Sequence, residues 1–238
     1  MNDTDPDLKE MKSFYDDVYY ADTNKPLQGS AHLKKLAART QISADDVVLD
    51  VACGLGEWLH VCQSRGSSVA GVDLSERAIE YCQKHLPNGD FHAVAAEKLP
   101  YGDSSFSVVS CLGSLEHFVD PVIALKDMAR VAKTDARFLL LVPNADFLTR
   151  KLGLFGGTNQ KDAKEVVRTL AEWERLFNEA GLSVTAKWKD LHVLSWSWIS
   201  MNGWLAMPLR ALQALVLPFW PLRWQYQVYH LCEKTRES

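Results

Sequence analysis

The sequence predicts an α/β fold built on a mostly parallel sheet covered by helices. Three observations carry that expectation. From Val47 onward, short β-branched apolar runs alternate with amphipathic helical stretches, the order that builds parallel sheets. The first run ends in a glycine turn, Cys53-Gly54-Leu55-Gly56, that opens a helix. The 238 residues are 47% hydrophobic and 24% charged, which excludes disorder and collagen-like structure and suits one large domain, alone or with an elaboration.

The elements follow in order. Residues 1–12 read as a solvated tail, and Ser13–Tyr20 and Ala31–Thr40 as short helices. Val47–Cys53 (VVLDVAC) is a buried parallel strand and Gly56–Arg65 a helix. Ser68–Asp73 is the second strand, and Ser75 is a suitable N-cap for a helix over Glu76–His85. Phe91–Ala96 and Phe106–Gly113 are the third and fourth strands. Asp120-Pro121 supplies a cap and a proline at the first helical position, opening a helix to Ala132. Arg137–Val142 is the fifth strand. Leu170–Ala180 is a helix closed by Gly181, Leu182–Trp188 the sixth strand and Trp224–Cys232 the last.

Composition narrows the function. The net charge of −4 argues against a protein whose main partner is nucleic acid, since such proteins are basic. Five scattered cysteines form no CxxC pair, the pattern of reduced thiols in a cytoplasmic protein. The opening MNDTDPDLKE is acidic and polar, so no secretory signal is expected.

In a parallel sheet, ligands bind outside the carboxyl ends of the strands. The turn after Val51 reads either as a tight strand-to-helix connection or as a place where Gly54 and Gly56 let backbone approach a ligand. The third glycine of a dinucleotide fingerprint is missing, its place taken by Leu59. Asp50 lies inside the apolar strand just before the turn. A pyrophosphate would gain nothing from that carboxylate, whereas a ligand carrying ammonium and sulfonium charge would. Asp73, at the end of the second strand, reads either as a cap or as an acceptor for both hydroxyls of a ribose. Ser75 fills the cap role better, which favours the ribose.

Four stretches, VLDVACGLGEW, VAGVDLSERAIEYCQ, VAAEKLPYGDSSFSVVSCLGSLEHFVDP and ARVAKTDARFLLLVPN, together resemble the class I S-adenosyl-L-methionine (SAM)-dependent methyltransferases. The match runs from about Val47 to Asn144, in the style of the ubiquinone-biosynthesis branch (methyltransferase domain type 11). The resemblance implies a Rossmann-like class I methyltransferase sheet, mostly parallel with an antiparallel last strand, and SAM as cofactor with S-adenosyl-L-homocysteine as product. It implies that Asp50 and the Cys53–Gly56 turn, with Cys53, Gly54 and Gly56, hold the methionine end. Asp73 would bind the ribose and Leu74 pack on the adenine, with Ala96 and Glu97 in the adenine loop. Cys111 and Leu112 would lie near the sulfonium. The sequence departs from the family in three places. Ala95 stands where an aspartate is common, leaving backbone donors to hold the adenine. Thr134-Asp135-Ala136 replaces the usual proline-glycine-glycine. Gly113-Ser114-Leu115-Glu116-His117 lacks the first acid of the E-x-x-E-H metal pattern, so no metal is expected.

His117, after the fourth strand, reads as a general base or as a structural histidine, and Glu116 as its orienting partner or a substrate contact. Tyr15, Tyr19 and Tyr20 read as part of a lid over the cofactor or as ordinary packing. The loop Pro143–Gln160 reads as a mobile substrate loop.

The implied function is methyl transfer by direct displacement to a small-molecule acceptor, a hydrophobic, glycan or lipid-linked hydroxyl. The alternative is a catalytically silent SAM-binding or scaffold protein; Asp50 and the missing glycine disfavour a nicotinamide oxidoreductase. The expected organisation is an N-terminal helical lid (1–45), a SAM-binding core (46–190), an apolar Trp-rich helical segment (191–223) and a final strand with tail (224–238). Between Leu191 and Leu222 the only charged residue is Arg210, and prolines interrupt the stretch, so it is not a spanning helix. It reads as a cap over the acceptor pocket, as a peripheral membrane contact through Trp and Leu, or as a dimer surface. The lack of lysine beside Arg210 and Arg223 argues against strong attraction to anionic lipid.

Overall fold

The computed structural model describes residues 6–20, 26–151, 153, 165–192, 200 and 207–235. Trp196, Trp198, Trp204 and most of the expected loop beyond Lys151 lie outside the described residues.

Among the described residues seven strands form: β1 (Val47–Val51), β2 (Ser68–Asp73), β3 (Asp90–Ala93), β4 (Phe106–Leu112), β5 (Ala132–Pro143), β6 (Leu182–Lys189) and β7 (Gln227–Lys234). They form one sheet in the order β3-β2-β1-β4-β5-β7-β6. The pairs β1–β2, β1–β4, β2–β3 and β4–β5 are parallel. β7 is antiparallel to both β5 and β6. This is the α/β sheet expected from the sequence, closed by an antiparallel last strand.

Among the described residues the α-helices are α1 (Pro6–Phe14), α2 (Ala31–Arg39), α3 (Glu57–Ser64), α4 (Glu76–His85), α5 (Pro121–Val131), α6 (Leu148–Lys151), α7 (Leu170–Glu179) and α8 (Met207–Val216). The pleat divides the core in two. On one face Leu49, Val109, Phe138 and Leu140 pack with Leu125, Met128, Trp173 and Phe177 of α5 and α7. On the other, Val48, Val108 and Leu139 pack with α2, α3 and α4 through Leu36, Leu59 and Cys82. Strands buried on both faces need continuous apolar sequence, which is why one polar residue such as Asp50 stands out. The chain leaves β1 toward β2 on one side and reaches β4 on the other, so the crevice above β1 and β4 is the switch point where ligands bind.

The helix starts are local. Ser30, Ser75 and Asp120 each accept a backbone N–H at an N-cap, and Thr169 with Glu172 forms a capping box on α7. Four boundaries differ from the sequence reading by three residues or more. Helix α1 begins at Pro6, inside the stretch read as a tail, and continues as a π-helical turn over Tyr15–Tyr19. β3 stops at Ala93: Val94 N–H still bonds the Asp73 carbonyl, but beyond it β2 has turned into the cap of α4 and offers no partner. β5 starts earlier, at Ala132, which pairs Phe106 across a bulge. β7 starts later, because the buried Gln225 amide donates to the carbonyls of Leu217 and Trp220 and holds the preceding turn.

Candidate active site

The turn after β1 carries three left-handed residues in alternation: Ala52 (φ 60°), Gly54 (φ 51°) and Gly56 (φ 73°). Ala52 pays for this conformation, at about 1 kcal/mol. The two glycines serve different ends. A Cβ on Gly54 would lie 2.8 Å from the Tyr20 hydroxyl, at the wall of the central cavity. A Cβ on Gly56 would lie 2.9 Å from Cys82 Sγ and 3.2 Å from Leu86, so this glycine is required by packing on α4.

Asp73 organises the turn. Its Oδ2 accepts from Gly54 N–H at 2.8 Å and its Oδ1 from Ser75 N–H at 2.9 Å. Each oxygen retains lone pairs for a further donor. Burial raises its pKa, against the pull of these backbone donors.

Asp50 sits opposite Ser110 across the β1–β4 pair. Trp58 Nε1 donates to Ser110 Oγ at 3.0 Å, and Ser110 Oγ donates to Asp50 Oδ1 at 2.6 Å. Burial pushes the Asp50 carboxyl up to about 8; the Ser110 hydrogen bond opposes this and the charge of Asp73 adds to it.

The cavity above these residues has a volume of about 470 Å³. Its lining includes the four acids Asp50, Glu57, Asp73 and Glu97 and, among the described residues, no lysine or arginine. Two buried carboxylates facing one space without a cation favour a ligand that brings positive charge and hydroxyl donors. They disfavour a phosphate-bearing one. The stretch Val94–Glu97 forms another wall, tied to α5: Leu99 N–H donates to Asp127 Oδ2, and Asp120 N–H to Glu97 Oε1.

The N-terminal segment closes the top. Met11, Tyr15, Tyr19 and Tyr20 line the cavity. The segment is fastened to the start of α4, where Asp16 Oδ1 accepts from Ser75 Oγ at 2.6 Å and from Arg77 N–H, and Lys12 pairs with Glu76. A carboxylate at a helix N-terminus is favoured by the helix dipole. The π-turn brings Tyr15 and Tyr20 into a stacked pair, and burial raises the pKa of both hydroxyls, which therefore act as neutral donors.

Of the residues singled out in the sequence, Asp50, Cys53, Gly54, Asp73, Leu74, Ala96, Glu97, Leu112 and His117 line one cavity. Gly56 and Cys111 stand outside its lining. Cys111 is fully buried in the β4 core, where burial drives its thiol pKa up. His117 lies in the short turn after β4 and is 6% exposed. Glu116 beside it is also buried, its Oε2 without a hydrogen-bond partner, and burial pushes its carboxyl to about 7. Among the described residues no group of three or more His, Cys, Asp or Glu stands together as a metal site. Sequence reasoning missed the support of Asp50 by Ser110 and Trp58, and the contact of Tyr20 with Gly54. Ser110, a polar residue inside the apolar run Val108–Leu112, was the available signal for the first.

Known proteins resemble this chain in sequence and in fold. A family model described as a methyltransferase domain matches residues 49–140. An uncharacterized methyltransferase YcgJ of Bacillus subtilis is 29% identical over 171 residues, covering 67% of this chain and 66% of the relative. A ubiquinone biosynthesis O-methyltransferase of Idiomarina loihiensis is 35% identical over 112 residues, 45% of this chain and 46% of the relative. The chain thus spans about half to two thirds of the length of the curated relatives it matches. Among solved structures, a 1,6-didemethyltoxoflavin-N1-methyltransferase of Burkholderia thailandensis, with 1,6-didemethyltoxoflavin and S-adenosylhomocysteine bound, superposes with a TM-score of 0.62 at 18% identity. That match covers 96% of this chain and 87% of the other.

Proposed function

This chain belongs to the class I SAM-dependent methyltransferase family, and from that premise we propose that it transfers a methyl group to the hydroxyl of a hydrophobic small-molecule acceptor, glycan- or lipid-linked. The observation that carries the reading is the lining of the cavity: four carboxylates and, among the described residues, no lysine or arginine, under a rim that is apolar and exposed. Tyr19 and Val119 line the cavity and are 51% and 40% exposed, and Ile123 is 48% exposed close by in sequence.

The residues present fit SAM. Asp73 has lone pairs for the ribose hydroxyls, and Asp50 offsets the positive charge of the methionine end. The Tyr20 hydroxyl, beside the Cys53–Gly54 turn, offers a donor to its carboxylate. The Ala95–Glu97 backbone and Leu74 hold the adenine, and Leu112 lines the space beside the sulfonium. Gly56 and Cys111 support this set through packing. When bound, SAM supplies an electrophilic methyl group on a sulfonium.

The chain's own contribution is alignment and desolvation. Positioning a nucleophile within reach of an electrophile supplies several kcal/mol of the barrier. The tyrosine lid, docked through Asp16, excludes water that would compete as acceptor. His117 accepts the proton of the acceptor hydroxyl as the oxygen–methyl bond forms, contributing ~10²–10⁴-fold.

The test is release of S-adenosylhomocysteine from SAM in the presence of acceptor panels: lipid-linked and free hydroxyl compounds, simple sugars and amines. Turnover confined to hydrophobic hydroxyl compounds is expected. Turnover confined to amines would overturn the hydroxyl, and SAM binding without turnover on any panel would favour a silent scaffold.

A further inference from the structure

Helix α8 and the turn after it present an apolar stripe to solvent. Leu212, Leu215, Val216 and Phe219 recur at the i, i+3, i+4, i+7 spacing of one helical face and are 59%, 70%, 40% and 86% exposed. Ala214 and Leu217, on the other side, are buried. The helix is therefore apolar on both faces, and only one of them is used by the core.

The outer face is held rigidly. Phe219 and Trp220 stand between Pro218 and Pro221. Behind them the buried Asn144 side chain donates to the carbonyls of Arg223 and Gln225, and Gln225 donates to those of Leu217 and Trp220. Asn144 follows the carboxyl end of β5, so the wedge is anchored at the edge of the sheet that carries the cavity.

Charge selects the occupant. No Asp or Glu occurs between Leu191 and Cys232, although the chain as a whole is acidic. The exposed cation Arg223 belongs to the stretch and lies over the Trp224 ring. Lys189, remote from the stripe in sequence, is folded onto it and donates to the Pro218 carbonyl. A second copy docking by two-fold symmetry would set Arg223 and Lys189 against their own counterparts, with no acid of the Leu191–Cys232 stretch to pair them. Anionic lipid phosphates pair with them while the stripe enters the interface. No helix among the described residues is long and apolar enough to cross a membrane, so the contact is peripheral.

We propose that the α8–Phe219 face docks on an anionic lipid bilayer, bringing the cavity edge to a lipid-borne acceptor. The acceptor half of this statement rests on the function proposed above; the docking half does not.

The experiment is flotation of the full chain with vesicles of phosphatidylcholine alone and of phosphatidylcholine with phosphatidylglycerol, for wild type and the triple variant Leu212→Ser/Leu215→Ser/Phe219→Ser. All three positions are solvent-exposed, so folding is retained, as a SAM titration of the variant checks independently. Wild type should float with the anionic vesicles, less so in high salt, and the variant should lose roughly tenfold or more of this association. Absence of wild-type flotation, or equal flotation of the variant, overturns the proposal. Concentration-dependent dimerisation abolished by the same substitutions, without flotation, assigns the face to a second copy and overturns it equally. Normal flotation of a protein that binds no SAM would leave docking standing and refute the methyltransferase reading alone.

Discussion

Replacing Asp50 by asparagine should make the ligand-free protein more stable and the cofactor complex weaker. The carboxyl lies in the β1–β4 core with Ser110 as its hydrogen-bond donor, and burial raises its pKa from 3.8 to about 8. The unfolded chain thus releases this proton near pH 4, while the native chain keeps it until near pH 8. The native state is therefore penalised progressively as pH rises through that window, at about 1.4 kcal/mol per pH unit. The whole interval amounts to on the order of 5 kcal/mol. Asparagine keeps the shape and an acceptor for Ser110 but carries no charge. Urea unfolding at pH 6 and pH 9, without ligand, should find Asp50→Asn stabilised at both, by roughly half the full amount at pH 6 and most of it at pH 9. Titrating groups remote from Asp50 cancel between the two proteins. Calorimetric titration should find SAM affinity lowered by about 1.5–3 kcal/mol, the loss of a charged partner. A stability difference that is flat with pH, or unchanged SAM affinity, would refute the assignment.

Asp73→Ala should weaken SAM by about 1–3 kcal/mol in the same titration, since the residue holds Gly54 and Ser75 as well as facing the cavity; unchanged affinity would remove the ribose role. Gly54→Val would force a β-branched residue to φ 51° with its Cβ 2.8 Å from the Tyr20 hydroxyl, and should cost roughly tenfold or more in SAM affinity with a measurable fall in Tm. His117→Ala should lower turnover by ~10²–10⁴-fold while SAM binding, followed by calorimetry, stays near wild type; a variant retaining most of its activity would make His117 structural.

The sheet was legible because its strands are buried on both faces, and VVLDV and RFLLLV can hardly be anything else. Helix starts were legible where one side chain decides them, as at Ser75 and Asp120. Strand ends were less so, since β3 stops where β2 withdraws its partner and β7 starts where Gln225 releases it. Asp50 and Asp73 could be picked out as acids where apolar residues belong. Gly56 and Cys111 show the limit of motif reasoning. A glycine required for close approach to Cys82 and one required beside a ligand look identical in sequence, and strand alternation puts Leu112 in the cavity wall while Cys111 faces the core. The placement of the N-terminal segment depends on Asp16 meeting Ser75, a contact between distant residues that no local pattern announces. Lys189 reaches the apolar stripe for the same reason, so the sequence understated the positive charge there.

The central claim is that the acid-lined cavity takes a cationic nucleoside cofactor. Calorimetric titration of the purified chain with SAM and, separately, with NAD, in two buffers of different ionisation enthalpy, tests it most directly. One SAM should bind per chain with release of a proton below pH 8, as Asp50 ionises against the incoming charge, and NAD should give no binding heat. Absence of SAM binding, or preferential binding of NAD, would contradict the account.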